Sequence, residues 1–294
     1  MRWWAGLTGA VLGALVAGTL VPGTVPGARA DTLAQGVAPV VSDVAHLSRT
    51  LRMAEVMAIL REEGVASGVK LAQDQQPGPA DPLWLSALER IHDPARMEAL
   101  FNAGFDRALA GDPQTVAAAA AFFGSDLGQR VLGLEIAARR AMMDEAVEAA
   151  AGVTYDRLAR DNPGRQALLD RFVAANDLIE FNVTGAMNAN LAFLRGLAEV
   201  GGAGFALSEA DMLAQVRAAE PDTRAAMVAW MFPFLALAYQ PLSEAELRAY
   251  VAFCETPAGR QVNAAMFRAF DGVFDQISRE LGRAFARSLT GDNI

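Results

Sequence analysis

One cysteine, Cys254, stands in 294 residues, so the chain can form no internal disulfide. His46 and His92 are its only two histidines. They share no ligand spacing, and no cysteine pair or H-E-x-x-H helix accompanies them, so the sequence predicts no metal site. No G-x-S-x-G elbow is present, and a serine or cysteine nucleophile would need a histidine brought to it in space. The run Gly201-Gly202-Ala203-Gly204 lacks the preceding strand and the following Lys-Ser/Thr of a phosphate loop. Together these absences predict no catalytic residues, no cofactor and no enzyme activity. Positive charge is scarce too. Against 34 acidic residues stand 25 basic ones, a net charge of −9. That balance argues against nucleic acid and anionic membrane surfaces, both of which attract basic patches. No segment sustains an alternation of period two, so no sheet is expected.

The polar groups that do occur fit structural roles. Glu62-Glu63, Asp144 with Glu148, and Glu244 with Glu246 lie at helix ends or on polar faces, where capping and solvation account for them. His92 sits at a helix junction before Asp93-Pro94, where its ring can bond backbone.

The N-terminus carries an address. Arg2 gives a positive start, Trp3 to Val21 an apolar stretch, and Ala28-Arg29-Ala30 an A-x-A cleavage site, so residues 1–30 read as a secretory signal peptide. Pro22, Gly23, Pro26 and Gly27 break any helix before it could span a bilayer. Removing those residues takes away Arg2 and Arg29, leaving 264 residues with 23 basic and 34 acidic side chains, net −11. A periplasmic or secreted protein without a transmembrane segment is expected. Cys254 lies on the apolar face of a helix, which favours burial over exchange in an oxidising compartment.

The stretch from Leu247 to Val262 shows how the chain is built. Leu247, Tyr250, Val251 and Cys254 fall at i, i+3, i+4 and i+7, one face of a helix. Ser243-Glu244-Ala245-Glu246 ahead of it is a capping box. Thr256 precedes Pro257, so the first helix stops and a second begins with Thr256 as its cap and Pro257 at its first position. Gly259, in that first turn, lets the preceding helix with Phe253 approach closely. A worn copy runs from Val116 to Val131. Phe122, Ser125, Gly128 and Val131 match Phe253, Thr256, Gly259 and Val262 at a constant offset, and Asp112-Pro113 replaces the capping box. The copy departs at Asp126, where the later one has Pro257. Equal spacing twice argues for duplication of a unit of about 130 residues.

The segment Phe253-Cys254-Glu255-Thr256-Pro257-Ala258-Gly259-Arg260 resembles the signature of an exported bacterial family called domain of unknown function 2059. That pattern is an aromatic pair, a Ser/Thr-Pro, a small residue and Gly, set between two helices. Cys254 stands where the second aromatic is expected; Phe122-Phe123 fits the pair, but that copy lacks the proline. The resemblance implies a helical periplasmic protein with no established activity, and supplies no catalytic residues.

Caps and breakers place the other elements. Ser42 or Asp43 opens a helix to about Glu63, stopped by Gly64. Gln73 to Ala80 reads as a loop. Asp81-Pro82 and Asp93-Pro94 open two helices, and Ser125 one to about Ala151. Asp161-Asn162-Pro163-Gly164 is a turn between two halves, residues 31–162 and 163–294. Arg165 to Val200 reads as the longest helix. Ser208 caps a short helix ending before Pro221, and Asp222 starts another. The fold class predicted is all-α, a helical bundle of two related halves.

Two features admit a sharper reading. Asn176 and Asn190 fall on the apolar stripe of the 165–200 helix, as a polar patch in a groove or as contacts fixing register. Ala225 to Tyr239 has no charge; it is too short to span a bilayer and Pro233 interrupts it. Trp230, Met231 and Phe234 around that proline either fill a core or line a pocket for a small apolar ligand. The function expected is a non-enzymatic, envelope-associated interaction module with a protein partner. The alternative is a carrier or sensor of an apolar ligand near the 225–239 segment.

Overall fold

Short polar side chains ahead of apolar runs start the helices. In the computed structural model, residues 43–75, 78–201 and 207–290 are described, and among them every regular element is an α-helix and none is a strand. Asp43 caps α1 (Val44–Thr50), and α2 spans Met53–Gln75. Asp81 and Asp93 accept from backbone N–H groups at the starts of α3 (Pro82–Ile91) and α4 (Pro94–Leu109), each with proline in the first turn. Asp112 caps α5 (Pro113–Phe123), Ser125 caps α6 (Asp126–Ala141), and Asp144 caps α7 (Glu145–Asp161). Asn162 caps α8 (Pro163–Ala175), followed by α9 (Leu178–Val200). Ser208 and Ser243 form reciprocal capping boxes at α10 (Glu209–Tyr239) and α11 (Glu244–Cys254). The last helix, α12, runs Pro257–Thr290.

Helix α12 is the axis. It lies along α9 in the same direction: Phe181 stacks on Phe267 at 4.7 Å, Gly185 faces Asp271, and Gly196 and Gly282 meet further along. A Cβ on Gly196 would overlap the Arg279 carbonyl oxygen, and one on Gly282 that of Phe193, so these glycines allow backbone-to-backbone contact. The other side of α12 packs on α3, α4 and α5, with Phe101 against Phe270 at 4.7 Å and Trp84 against Phe285 at 5.9 Å. One apolar core therefore runs through helices from both sides of Asn162.

Several boundaries differ from the sequence expectation. The first helix does not end at Gly64. It breaks earlier, at Arg52 with φ +58°, and α2 runs on through Gly64, where a side chain would overlap the His92 ring. The helix from Ser125 stops at Ala141, and Asp144 starts a new one. The 165–200 helix breaks at Asn176, because Asp177 takes a left-handed φ of +50°. Conversely, α10 is continuous through both Pro221 and Pro233. Each proline removes one ladder hydrogen bond, but buried Val216, Met227 and Met231 on the core face hold the turns on either side. The signal peptide 1–30 and Gly202 to Gly204 lie outside the described residues.

Candidate functional site

The two matched stretches form helix–corner–helix units with equal first helices and equally placed corners, although α6 has 16 residues and α12 has 34. Helices α5 and α11 each have 11 residues and end at Phe123 and Cys254, 131 positions apart. Helices α6 and α12 start at Asp126 and Pro257, again 131 apart. Ser125 Oγ accepts from the Gly128 N–H at 3.1 Å, and Thr256 Oγ1 accepts from the Gly259 N–H at 3.3 Å. Burial follows the same register. Phe123 and Cys254 are fully buried, Val131 and Val262 likewise, and Phe122 and Phe253 are both half-buried. Gly128 is required for close approach, since a Cβ there would run into the Phe122 carbonyl and the Phe123 Cα. It occupies the position of Gly259, while Asp126 stands where the later hairpin has Pro257.

The hairpins meet at their aromatic corners. Phe122 and Phe253 lie face to face, with centroids 3.4 Å apart and planes 5° from parallel, and Phe123 meets Phe253 edge-on at 5.2 Å. Beside this stack, between α5 and the α11–α12 corner, lies an open groove of about 860 Å³. Its floor is the Phe122–Phe253 pair, its walls include Ala118, Ala249 and Ala252, and its rim carries Asp112 and Gln261. The walls are mostly apolar and the floor aromatic, so the groove suits an apolar segment with few polar points of attachment.

A second cluster sits below it in the core. Glu135 of α6 is fully buried, and its Oε1 accepts from Tyr239 Oη of α10 at 2.7 Å and from Tyr250 Oη of α11 at 2.9 Å. Burial pushes the Glu135 carboxyl up to about 8, against the opposing pull of the two phenol hydrogen bonds. Burial, and then the nearby carboxyl, raise both phenols well above the usual tyrosine range. Phe172 of α8 packs on both rings, and the Cys254 thiol adjoins them. Glu135 is marked in the sequence by its place on an apolar helix face. It interrupts the stripe Val131, Leu132, Ala138, Met142, all buried.

The residues proposed for an apolar ligand are distributed differently. Trp230 stacks on Phe234 at 4.9 Å, and Met231 and Phe234 are buried. Asn176 is the C-cap of α8 and so is not on the same helix as Asn190 of α9. The Asn176 Nδ2 donates to the Phe172 carbonyl, and its own backbone carbonyl accepts from Asn263 Nδ2 at 2.9 Å. None of these five lines the groove. Of the motif residues, Phe122, Phe253, Thr256 and Pro257 line it, Ser125 and Gly128 form the corner beneath, and Gly259 is buried. His92 is buried, with Nδ1 2.9 Å from the Leu88 carbonyl oxygen, and burial lowers its proton affinity; His46 is exposed on α1. Among the described residues no three His, Cys, Asp or Glu side chains gather as a metal site.

What the fold and groove define is an all-helical protein whose two hairpins meet at a phenylalanine seam. Residues 96–154 match the model of a family described as an uncharacterized protein conserved in bacteria, DUF2059. The matched segment runs from α4 through α5 and α6 into α7. It contains the earlier copy of the motif, whereas the sequence resemblance rested on the later one. No curated protein matches the chain significantly. No solved structure does so either.

Proposed function

We propose that the chain is an exported, non-enzymatic helical module of the cell envelope that binds a protein partner in the groove beside Phe122 and Phe253. The address rests on the signal-peptide pattern of residues 1–30, and the two related halves on the 131-residue offset of the hairpins. One observation carries the binding role: both hairpins contribute to a single open, alanine-walled and aromatic-floored groove. Alanine walls let a partner backbone come close, and the half-buried aromatic floor supplies apolar area of the kind that marks an interface core. No helix among the described residues is long and apolar enough to cross a membrane.

A photo-crosslinking amino acid placed at Ala118 or Ala252 in the full chain, in its native cell, tests this. Discrete protein adducts are expected from both positions and not from exposed Ala150 on α7. Adducts no stronger than those from Ala150 would overturn the reading.

A further inference from the structure

The two sides of the Phe122–Phe253 seam are not alike, and the difference specifies the occupant. On one side, Arg130 of α6 reaches across to α11. Its guanidinium donates to the Glu246 carboxylate and, at 2.7 Å, to the Pro241 carbonyl. Glu246 is also held by the Ser243 hydroxyl at 2.7 Å in the capping box. A carboxylate and a hydroxyl at the start of a helix thus receive a cation from the opposite hairpin.

The offset of 131 positions maps Arg130 to Gln261, Glu246 to Thr115 and Ser243 to Asp112. On the open side the same pair of groups recurs with the roles exchanged: Thr115 Oγ1 donates to the Asp112 carboxylate at 2.7 Å. The carboxylate is kept, and its pKa is lowered by the Thr115 hydroxyl and backbone N–H. The cation is not kept. Gln261 stands in Arg130's place, and no ion pair to Asp112 occurs among the described residues. The open groove is therefore the closed seam without its guanidinium. Helix N-termini flank both sides equally and do not prevent Arg130 from sitting in the closed one.

From this we infer that the groove takes a segment of a partner protein bearing an arginine among small apolar residues, with its guanidinium on Asp112 and its apolar flank on the phenylalanine floor. The inference rests on the groove being a protein-binding site and names the chemistry of what binds. Among the described residues Asp112 is the only charged one lining the groove, so one cation satisfies it. A fork-shaped guanidinium suits a carboxylate already turned by two hydrogen bonds better than an ammonium does.

The probe is a pair of fluorescein-labelled helical 14-residue peptides of alanine and leucine, one with a central arginine and one with citrulline, its neutral isostere. Fluorescence anisotropy with the full mature chain is expected to show the arginine peptide binding about tenfold more tightly, a preference that shrinks in high salt. Asp112→Asn keeps the helix cap but removes the charge, and is expected to abolish that preference. Gln261→Arg rebuilds the closed seam and is expected to abolish binding of both peptides, with thermal unfolding no lower than that of the native chain. Equal binding of the two peptides, no binding, or binding unaffected by Gln261→Arg would each overturn the inference. Protein adducts at Ala118 with no arginine preference would leave the binding role standing and remove only its cationic partner. A concentration-dependent dimer blocked by Gln261→Arg would replace the partner with a second copy of this chain and overturn it as well.

Discussion

The carboxyl of Glu135 is expected to make the protein less stable as pH rises from 5 to 9. In the folded chain its pKa stands near 8, against an ordinary 4.5, because burial between Tyr239 and Tyr250 disfavours the anion. Between those two values the unfolded chain has released the proton and the folded chain still holds it. Raising the pH favours the state with fewer protons, which is the unfolded one. The stabilisation is thus complete below 4.5 and lost as pH passes through about 8. Integrated from pH 5 to pH 9 this amounts to about 4 kcal/mol. Two phenols bond Glu135 from α10 and α11, and the Cys254 thiol adjoins those phenols; none of the three supplies a positive charge. Arg139, one turn on, is engaged with Glu63 of α2 at 2.8 Å. Other groups also titrate in this range. Asp271, pushed up to about 6 by burial and Asp275, adds to the fall, and buried His92 opposes it. The comparison must therefore be with Glu135→Gln, whose amide oxygen can accept from the same two phenols and does not titrate. Urea unfolding of both chains at intervals from pH 5 to pH 9 is expected to show the difference between them narrowing or reversing in favour of Glu135→Gln by about 4 kcal/mol. Parallel curves for the two chains would refute the reasoning, since the buried carboxyl would then be titrating as it does in water.

Two further outcomes test the packing. Gly282→Ala places a methyl against the Phe193 carbonyl, where only backbone can yield, and is expected to cost about 2–3 kcal/mol, read from urea midpoints; a change under about 0.5 kcal/mol would mean that α9 and α12 are not in backbone contact. A double-mutant cycle of Phe122→Ala and Phe253→Ala is expected to give a coupling of about 0.5–1 kcal/mol, at the low end for aromatic pairs because a face-to-face sandwich is the least favoured geometry electrostatically; additive effects would separate the two hairpins.

Helix starts were the most legible part of the fold. Asp81, Asp93, Asp112, Ser125, Ser208 and Ser243 all cap where their short polar side chains precede an apolar run. Helix ends were less so, because they depend on tertiary contacts. Gly64 reads as a stop, yet its bare Cα is there to admit the His92 ring. Arg52 and Asp177 end helices by adopting positive φ, which neither residue type announces. Pro221 and Pro233 read as breaks, but packing on both sides carries α10 through them. The equal spacing of the two motif stretches was visible, and their phenylalanines, Phe122 and Phe253, line the groove. That the hairpins would face each other across that seam was not visible, since a constant offset says which residues are equivalent and not which touch. The 225–239 segment stands out by its apolar composition; Met227, Met231 and most of residues 233–239 are buried in the core, while Ala225, Ala226, Val228 and Ala229 are exposed. Glu135 and the Asp112–Gln261 asymmetry escaped notice because each takes its meaning from a residue more than a hundred positions away.

The most direct test of the account is a crosslinker at Ala252 in the native cell, compared with and without Gln261→Arg. The account expects a discrete protein adduct from the native seam and its loss when arginine closes the groove, with the chain folded in both cases. An adduct of unchanged yield in the Gln261→Arg background would contradict it.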